Sequence, residues 1–364
     1  MRILYGVVGE GMGHATRSRV VLERLVKEHE VHVVVSGRAR DYLAERFANV
    51  HRIWGLTIAY EGNSVRNWQT LLRNVKGALT GLPENVRRYF ELVDSFAPDV
   101  VISDFESFSY LFGRNHRLPV ISVDNMQIIN RCRHSPELIA GYEDAYELSR
   151  SIVKGKVPGS FHYLISTFFE PEVRKQRTTL VPPILRPEIL EARSEPGEHL
   201  LVYQTATSNT ALPKLLSKTG LPCRIYGMRR DLTEAVTEGN LTWCPFSEAG
   251  FIEDLRTARA VIAGGGFSLM SESVYLHKPF LSVPIGGQFE QVLNALYLQQ
   301  LGYGMHAPVL TEEALGAFLE RLPDFEQALK GYQQQGNDLF FQALDVQLER
   351  AKSWKGTWAE VTRS

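Results

Sequence analysis

The chain has 364 residues, 44% of them hydrophobic, with 40 Lys and Arg against 41 Asp and Glu for a formal net charge of −1. That length exceeds the roughly 250–300 residues at which a single core stops growing, so two domains are expected. The balanced charge argues against a protein that tracks nucleic acid, and no apolar run reaches the ~18 residues of a membrane span.

In chain order, β-rich runs alternate with helical patterns. Strands are expected at Ile3 to Val8, Val31 to Ser36, Val100 to Ser103, Val120 to Val123 and Tyr163 to Ser166. Helices are expected near Thr16 to Glu28, Arg40 to Phe47, Asn67 to Leu79, Glu84 to Phe96 and Ser107 to Arg114. This is the pattern of crossover units on a parallel sheet, and the Val/Ile-rich strands imply burial on both faces. Pro182, Pro183, Pro187, Pro196 and Gly197 then interrupt the pattern, which places a linker at 181–198. A second alternating series follows, with strands at Leu200 to Tyr203, Cys223 to Tyr226, Leu241 to Trp243, Ala260 to Ile262 and Phe280 to Val283. Its helices are expected at Glu248 to Thr257, Ser268 to Leu276 and Glu290 to Leu301, and the chain reads as helical beyond Thr311. The expected organisation is an N-terminal α/β domain (1–180), the linker, a C-terminal α/β domain (199–336) and a final helix (337–364) able to cross back to the first domain. Cys132, Cys223 and Cys244 are odd in number, far apart and without metal-ligand spacing. They read as reduced, buried thiols of a cytoplasmic protein, and the N-terminal residues, with no small-residue cleavage site behind a long apolar stretch, are not expected to act as a secretion signal.

Each half contains a glycine-rich turn where a strand hands over to a helix. The first is Gly9-Glu10-Gly11-Met12-Gly13-His14 and the second is Gly264-Gly265-Gly266-Phe267-Ser268. Backbone N–H groups and the helix dipole make such a turn attractive to anions. A nicotinamide fold is disfavoured, because the second strand ends in Val35-Ser36-Gly37-Arg38 where an acid for the ribose hydroxyls is required. His14, at the head of the first helix, suits a general base. Asp104 and Glu106 follow a buried strand at the sheet edge where α/β proteins place their chemistry. Asp104 could orient His14, act as the base, or cap the next helix. Residues 66–88 hold Arg66, Trp68, Arg73, Lys76, Arg87 and Arg88 among leucines. These could face an anionic membrane from its inner side, although two ordinary amphipathic helices are the better reading.

The run Gly9 to Ser18 (GEGMGHATRS), together with Cys244-Pro245-Phe246, Phe251-Ile252-Glu253-Asp254-Leu255, the three glycines, Ser268 to Glu272, His277-Lys278-Pro279 and Gln288 to Gln291, resembles the GT-B glycosyltransferases. Within them it is similar to the lipid II N-acetylglucosaminyltransferase and to an archaeal and bacterial group sharing the GEGxGHATRS turn. The resemblance covers nearly the whole chain. It implies two Rossmann-like, doubly wound α/β domains facing a central cleft, with a nucleotide-sugar donor, most simply a UDP-sugar, on the second. The donor is thus expected on 199–336 and the acceptor on 1–180; the acceptor is unidentified and could be lipid-linked or a small molecule, and Glu106, Asp124, Asn125 and Gln127 could line its side. By the same resemblance Glu272 takes the ribose hydroxyls, and Gly11, Gly13, Gly265, Gly266, Phe267 and Ser268 face phosphates. Phe251 and Ile252 offer main-chain groups to the base, Glu290 and Gln291 hold sugar hydroxyls, and Asn294 braces their loop. Thr205, Thr207 and Arg186 are phosphate neighbours. Asp104-Phe105-Glu106 resembles the acidic metal motif of the other glycosyltransferase fold, but the second glycine turn opposes that fold, so no metal is expected. Retaining GT-B enzymes commonly carry a glutamate eight residues before the ribose glutamate; Gly264 stands there, which favours inversion. The rival reading is a nucleotide-sugar hydrolase or 2-epimerase on the same architecture.

Overall fold

The computed structural model describes residues 1–9, 11–55, 60–61, 64–65, 82–204 and 211–354. The chain opens with β1 (Arg2–Val7), α1 (Met12–Glu28), β2 (Glu30–Val35), α2 (Ala39–Ala44) and β3 (Val50–Arg52). A short antiparallel pair, β4 (Tyr60–Glu61) and β5 (Ser64–Val65), and the helix α3 (82–95) follow. Next come β6 (Val100–Asp104), α4 (Ser107–Asn115), β7 (Val120–Asp124), α5 (Ile128–Arg131), α6 (Glu143–Lys156), β8 (His162–Ser166) and β9 (Thr178–Val181). The second series is α7 (Pro187–Glu191), β10 (Leu200–Tyr203), α8 (Ala211–Lys218), β11 (Cys223–Tyr226), β12 (Val236–Glu238), β13 (Leu241–Cys244), α9 (Glu248–Arg256), β14 (Ala260–Ala263), α10 (Phe267–Tyr275), β15 (Phe280–Ser282), α11 (Phe289–Gln300) and β16 (Gly304–His306). The chain closes with α12 (Glu312–Glu320), α13 (Leu322–Leu329) and α14 (Asp338–Lys352).

These elements form two compact units. Unit 1 takes its described residues from Met1–Ala59, Asn67–Arg186 and Gly336–Ser364; unit 2 takes most of its residues from Pro187–Gln335. Among the described residues, unit 1 carries a parallel sheet in the order β3-β2-β1-β6-β7-β8-β9. Every residue of β6, β7 and β8 is buried, as strands covered by helices on both faces require. One face packs α1 (Ala15, Val21, Leu22, Leu25) and α14 (Phe340, Leu344, Leu348) on Ile3, Tyr5, Val33 and Ile102. An ion pair between Arg24 and Asp345 (2.8 Å) ties these two helices together. On α4, Ser109 lies so close to Gly6 of β1 that a Cβ there would sit 1.9 Å from the serine hydroxyl.

Unit 2 repeats the plan in the order β12-β13-β11-β10-β14-β15-β16, parallel except for the β12–β13 pair. Leu212 and Leu216 of α8, with Leu315, Phe318, Leu322 and Phe325 of α12 and α13, cover Val202, Ile225, Trp243 and Ile262. Among the parallel strands of each sheet the order reverses between β1 and β6 and between β10 and β14. The crevice outside the strand C-termini at such a reversal is where open α/β sheets bind ligands.

The structure departs from the sequence expectations in four places. The proline-rich stretch is not an open linker: Thr178–Val181 is an edge strand paired with β8, and Pro187 begins α7, where the missing N–H costs nothing. The units change at Arg186–Pro187 and again at Gln335–Gly336. Helix α1 starts at Met12 rather than near Thr16, because Gly11 (φ 83°) ends the turn and acts as its N-cap. Helices α5, α6, α8 and α13 and strands β3, β12 and β16 were not anticipated as separate elements. The helix expected over Asn67 to Leu79, with Arg66, Trp68, Arg73 and Lys76, lies outside the described residues. Cys132, Cys223 and Cys244 are free and buried. No helix among the described residues is long and apolar enough to cross a membrane.

Candidate active site

At the unit 1 reversal, β1 delivers the glycine turn and α1, while β6 ends on Asp104. Asp104 is fully buried and serves as the hub of a polar cluster. Arg17 donates to it twice, from Nη2 to Oδ1 (2.5 Å) and from Nε to Oδ2 (3.2 Å), and Ser18 Oγ donates to Oδ2 (3.1 Å). His14 Nδ1 lies 2.8 Å from Oδ1 of the same carboxylate and 2.9 Å from Arg17 Nη2. Nδ1 thus sits between an acceptor, Asp104 Oδ1, and a donor, Arg17 Nη2; in the tautomer with the proton on Nδ1 the ring donates to Asp104. The other ring nitrogen, Nε2, is then an acceptor, and no described residue bonds to it. The His14 side chain is 21% exposed, enough for a ligand to reach it.

Burial alone would raise the Asp104 pKa, but the Arg17 charge, followed by His14, holds it below the ordinary carboxylate value. A buried anion gripped by a guanidinium is a poor base and a good orienter of imidazole. Arg17 and Ser18 lie within the GEGMGHATRS run, yet no role was expected for them. The i,i+3 spacing of His14 and Arg17 on one helix face was the available signal.

Glu106 is not an acceptor-side group. Its carboxylate caps α4, accepting from the backbone N–H of Phe108 (2.7 Å) and Ser109 (2.6 Å), and burial pushes its pKa up. Capping, one of the roles open to Asp104, therefore falls to Glu106. Asn125 is 3% exposed and Gln127 2%, so neither offers an open face. Gln127 donates from Nε2 to the Val153 carbonyl (3.1 Å) and accepts from Asn130 (3.4 Å), which fastens α5 to α6. Asp124, at the end of β7, is 1% exposed and likewise offers no open face. Burial, opposed by bonds from Ser122 Oγ and the Gln127 N–H, and then the negative charge of Asp104, set its pKa at about 6. Arg87 and Arg88 both pair with Glu91 on their own helix.

At the unit 2 reversal, β14 hands over to α10 through Gly264-Gly265-Gly266. Gly265 has φ 94°, and a Cβ there would lie 2.5 Å from Ser282 Oγ and 3.1 Å from the Gln291 carbonyl, so only glycine fits. Gly266 is the N-cap of α10 with open space on its Cβ side, which leaves the N-terminus of the helix approachable through Phe267 and Ser268. Glu272 follows in the second turn of α10 and is 6% exposed.

Two donor-side expectations change. Gln291 accepts from the Ile285 N–H (3.0 Å) through Oε1 and donates to Gln288, so its amide braces the loop before α11. Asn294 donates to Glu290 Oε1 (2.6 Å) and to the Gly265 carbonyl (3.3 Å), tying that helix to the glycine turn. The Phe251 N–H is used inside α9, donating to the Ser247 carbonyl (2.9 Å), and Ile252 is buried. The Phe251 ring instead packs edge-on against Tyr203 and Tyr226. Beside α9 opens a recess of about 350 Å³ lined by residues that include Arg224, Tyr226, Thr242, Cys244, Ser247 and Asp254. Arg186 is 7% exposed and ends the central segment of unit 1. Thr205 and Thr207 lie outside the described residues. Gly11 is exposed, and Gly13 is half-buried in the first turn of α1.

Comparison with known proteins agrees with this arrangement. An uncharacterized glycosyltransferase of Methanosarcina acetivorans is 25% identical over 354 residues, covering 89% of this chain and 88% of its own. The solved glycotransferase of kitacinnamycin superposes with a TM-score of 0.69 at 16% identity, covering 96% of this chain and 98% of its own. Phytolacca americana UGT2, solved with UDP-2fluoro-glucose and pterostilbene, gives 0.64 at 13% identity, covering 97% and 99%. The family model described as glycosyl transferase family 1 matches residues 1–323. The chain is thus a glycosyltransferase of the GT-B fold and belongs to glycosyl transferase family 1.

Proposed function

We propose that the protein is an inverting, metal-independent transferase that moves a sugar from a UDP-sugar to an acceptor hydroxyl. The observation that carries this reading is the His14–Asp104–Arg17 cluster at the strand reversal of unit 1. Asp104 keeps the Nδ1 proton in place, and His14 Nε2 takes the proton of the acceptor hydroxyl while its oxygen attacks the anomeric carbon. The bond from that carbon to the diphosphate oxygen breaks with its electron pair on the diphosphate. The N-terminus of α10 then offsets the growing charge. Glu272 is assigned to the ribose. Gly264, in place of a second glutamate, supports inversion, and the UDP-sugar complex of the Phytolacca enzyme supports the choice of nucleotide. Metal independence is supported by the engagement of both acids of the Asp104-Phe105-Glu106 run, one with Arg17 and the other with the α4 N-terminus.

A thermal-shift screen of UDP-, GDP- and dTDP-sugars identifies the donor, with UDP-sugars expected to stabilise most. Incubation with that donor alone should leave it largely intact, whereas rapid hydrolysis or 2-epimerisation replaces the transferase reading. The anomeric configuration of the product, read by NMR with and without EDTA, tests inversion and metal independence together.

A further inference from the structure

Five cations of unit 1 lie close enough to interact near the start of β9. Arg174 and Lys175 precede that strand, Arg131 ends α5, and Arg150 and Lys154 lie on α6. Their placement is built rather than loose. Arg131 is 7% exposed, lies 3.6 Å over the Tyr163 ring, and donates to Thr178 Oγ1 (2.7 Å) and the Gln176 carbonyl (2.5 Å). Arg174 donates twice to the Asn130 carbonyl (2.9 and 3.3 Å), and Lys175 Nζ donates to Asn130 Oδ1 (2.6 Å). All of these acceptors are neutral. Among the described residues the one carboxylate paired with any of the five is Glu147, bound to Arg150 at 2.8 Å.

Like charges held together by neutral acceptors repel one another, most strongly where water is partly excluded. Lys175 shows the consequence. Partial burial, and then the charges of Arg174, Arg131, Lys154 and Arg150, push its pKa down to about 8. A solvated charged face would spread these side chains into water, but here Arg131 is buried and Lys175 half-buried. Lys175 has spent one of its three donors, and Lys154 has no partner among the described residues. An anion beside Lys175 would meet its ammonium group directly, within the field of the Lys154, Arg131 and Arg174 charges. That charge density matches a doubly charged phosphate better than a single carboxylate.

We propose that Arg131, Lys154, Arg174 and Lys175 form a binding site for a phosphate group bearing two negative charges, a phosphomonoester or a diphosphate. The site is separate from the glycine turns, so its test reads Lys175 itself.

The intact protein is treated briefly at pH 8 with acetic anhydride, and acetylation of each lysine is measured by mass spectrometry. Lys175 is expected to react ahead of the exposed Lys218. Millimolar inorganic pyrophosphate should protect it about fivefold or more relative to chloride at equal ionic strength, as loss of a charge-assisted contact predicts. Lys154→Gln, at an exposed position, should remove most of that protection without changing the far-ultraviolet circular dichroism. Glycerol phosphate and vesicles containing phosphatidic acid distinguish the source. Protection by the former indicates a soluble phosphorylated ligand, and protection by the vesicles but not by the soluble phosphates indicates a lipid headgroup. Lys175 labelling that is the same in chloride, pyrophosphate and phosphatidic acid vesicles overturns the proposal, as does protection that Lys154→Gln leaves intact.

Discussion

A histidine can take a proton from substrate only if its own proton is held at the other ring nitrogen, and the neighbours of His14 decide this. Asp104 Oδ1 lies 2.8 Å from Nδ1, placed to accept from it, while Arg17 and Ser18 donate to the same carboxylate. His14→Ala should therefore lower turnover by about two to four orders of magnitude while leaving donor affinity within a few-fold. Steady-state rates and donor titration check this, and near-normal turnover would reduce His14 to a helix residue. The two buried aspartates act on stability with opposite signs. The Asp104 pKa is depressed in the fold, so its contribution is present above the unfolded value and lost as pH falls through the folded one. The Asp124 pKa is raised to about 6, so its carboxylate is neutral in the fold at low pH and becomes a growing penalty as pH rises through that value. Asp124→Asn removes the penalty. Calorimetry should show the variant melting a few degrees above wild type at pH 8, with the difference vanishing near pH 4. A difference that is flat with pH would disprove the assignment.

At the scale of the element, α10 is the piece that the donor half depends on. Gly265 lets the chain pass under Ser282, Gly266 opens the helix N-terminus, and Glu272 lies in the second turn. Glu272→Ala should weaken donor binding by about 1.5–3 kcal/mol, the cost of losing a charged hydrogen-bonding partner, with little change in the chemical step. Calorimetric titration that gives unchanged affinity would remove the ribose assignment. These elements were legible in the sequence because a glycine turn between a Val/Ile strand and a helix is a local pattern with a local cause. The cluster around Asp104 was legible only in part. His14 and Asp104 stood out singly, but the role of Arg17 depends on a partner 87 positions away, which no local spacing reports. Strand β9 was hidden for a different reason: its Thr-Thr-Leu-Val lies beside prolines that read as a linker, although they fall after the strand ends. Glu106 was misread because an acid after a buried strand looks the same whether it faces a substrate or caps the next helix. Only the backbone turn at Phe105 (φ 54°) decides between them.

At the scale of the molecule, unit 1 is discontinuous. Its core is completed by α14, whose Phe340 and Leu344 are fully buried against the first sheet, and Asn337 bonds with both the N–H (2.9 Å) and the carbonyl (2.7 Å) of Leu185. Leu344→Ala should cost about 2–5 kcal/mol, and the loss should fall on unit 1. Hydrogen exchange should then show faster opening in β1, β6 and β7, with unit 2 amides unchanged; equal acceleration in both units would mean that they unfold together.

The same discontinuity sets an order on the ribosome. Most of unit 2 leaves the exit tunnel as one continuous stretch and can close its core while translation continues. Unit 1, although begun first, waits with the face of Ile3, Tyr5 and Ile102 only partly covered, by α1, until α14 has been synthesised. The half that would hold the base is thus the last to become native, and during that interval its apolar sheet face is the surface a nascent-chain chaperone would meet.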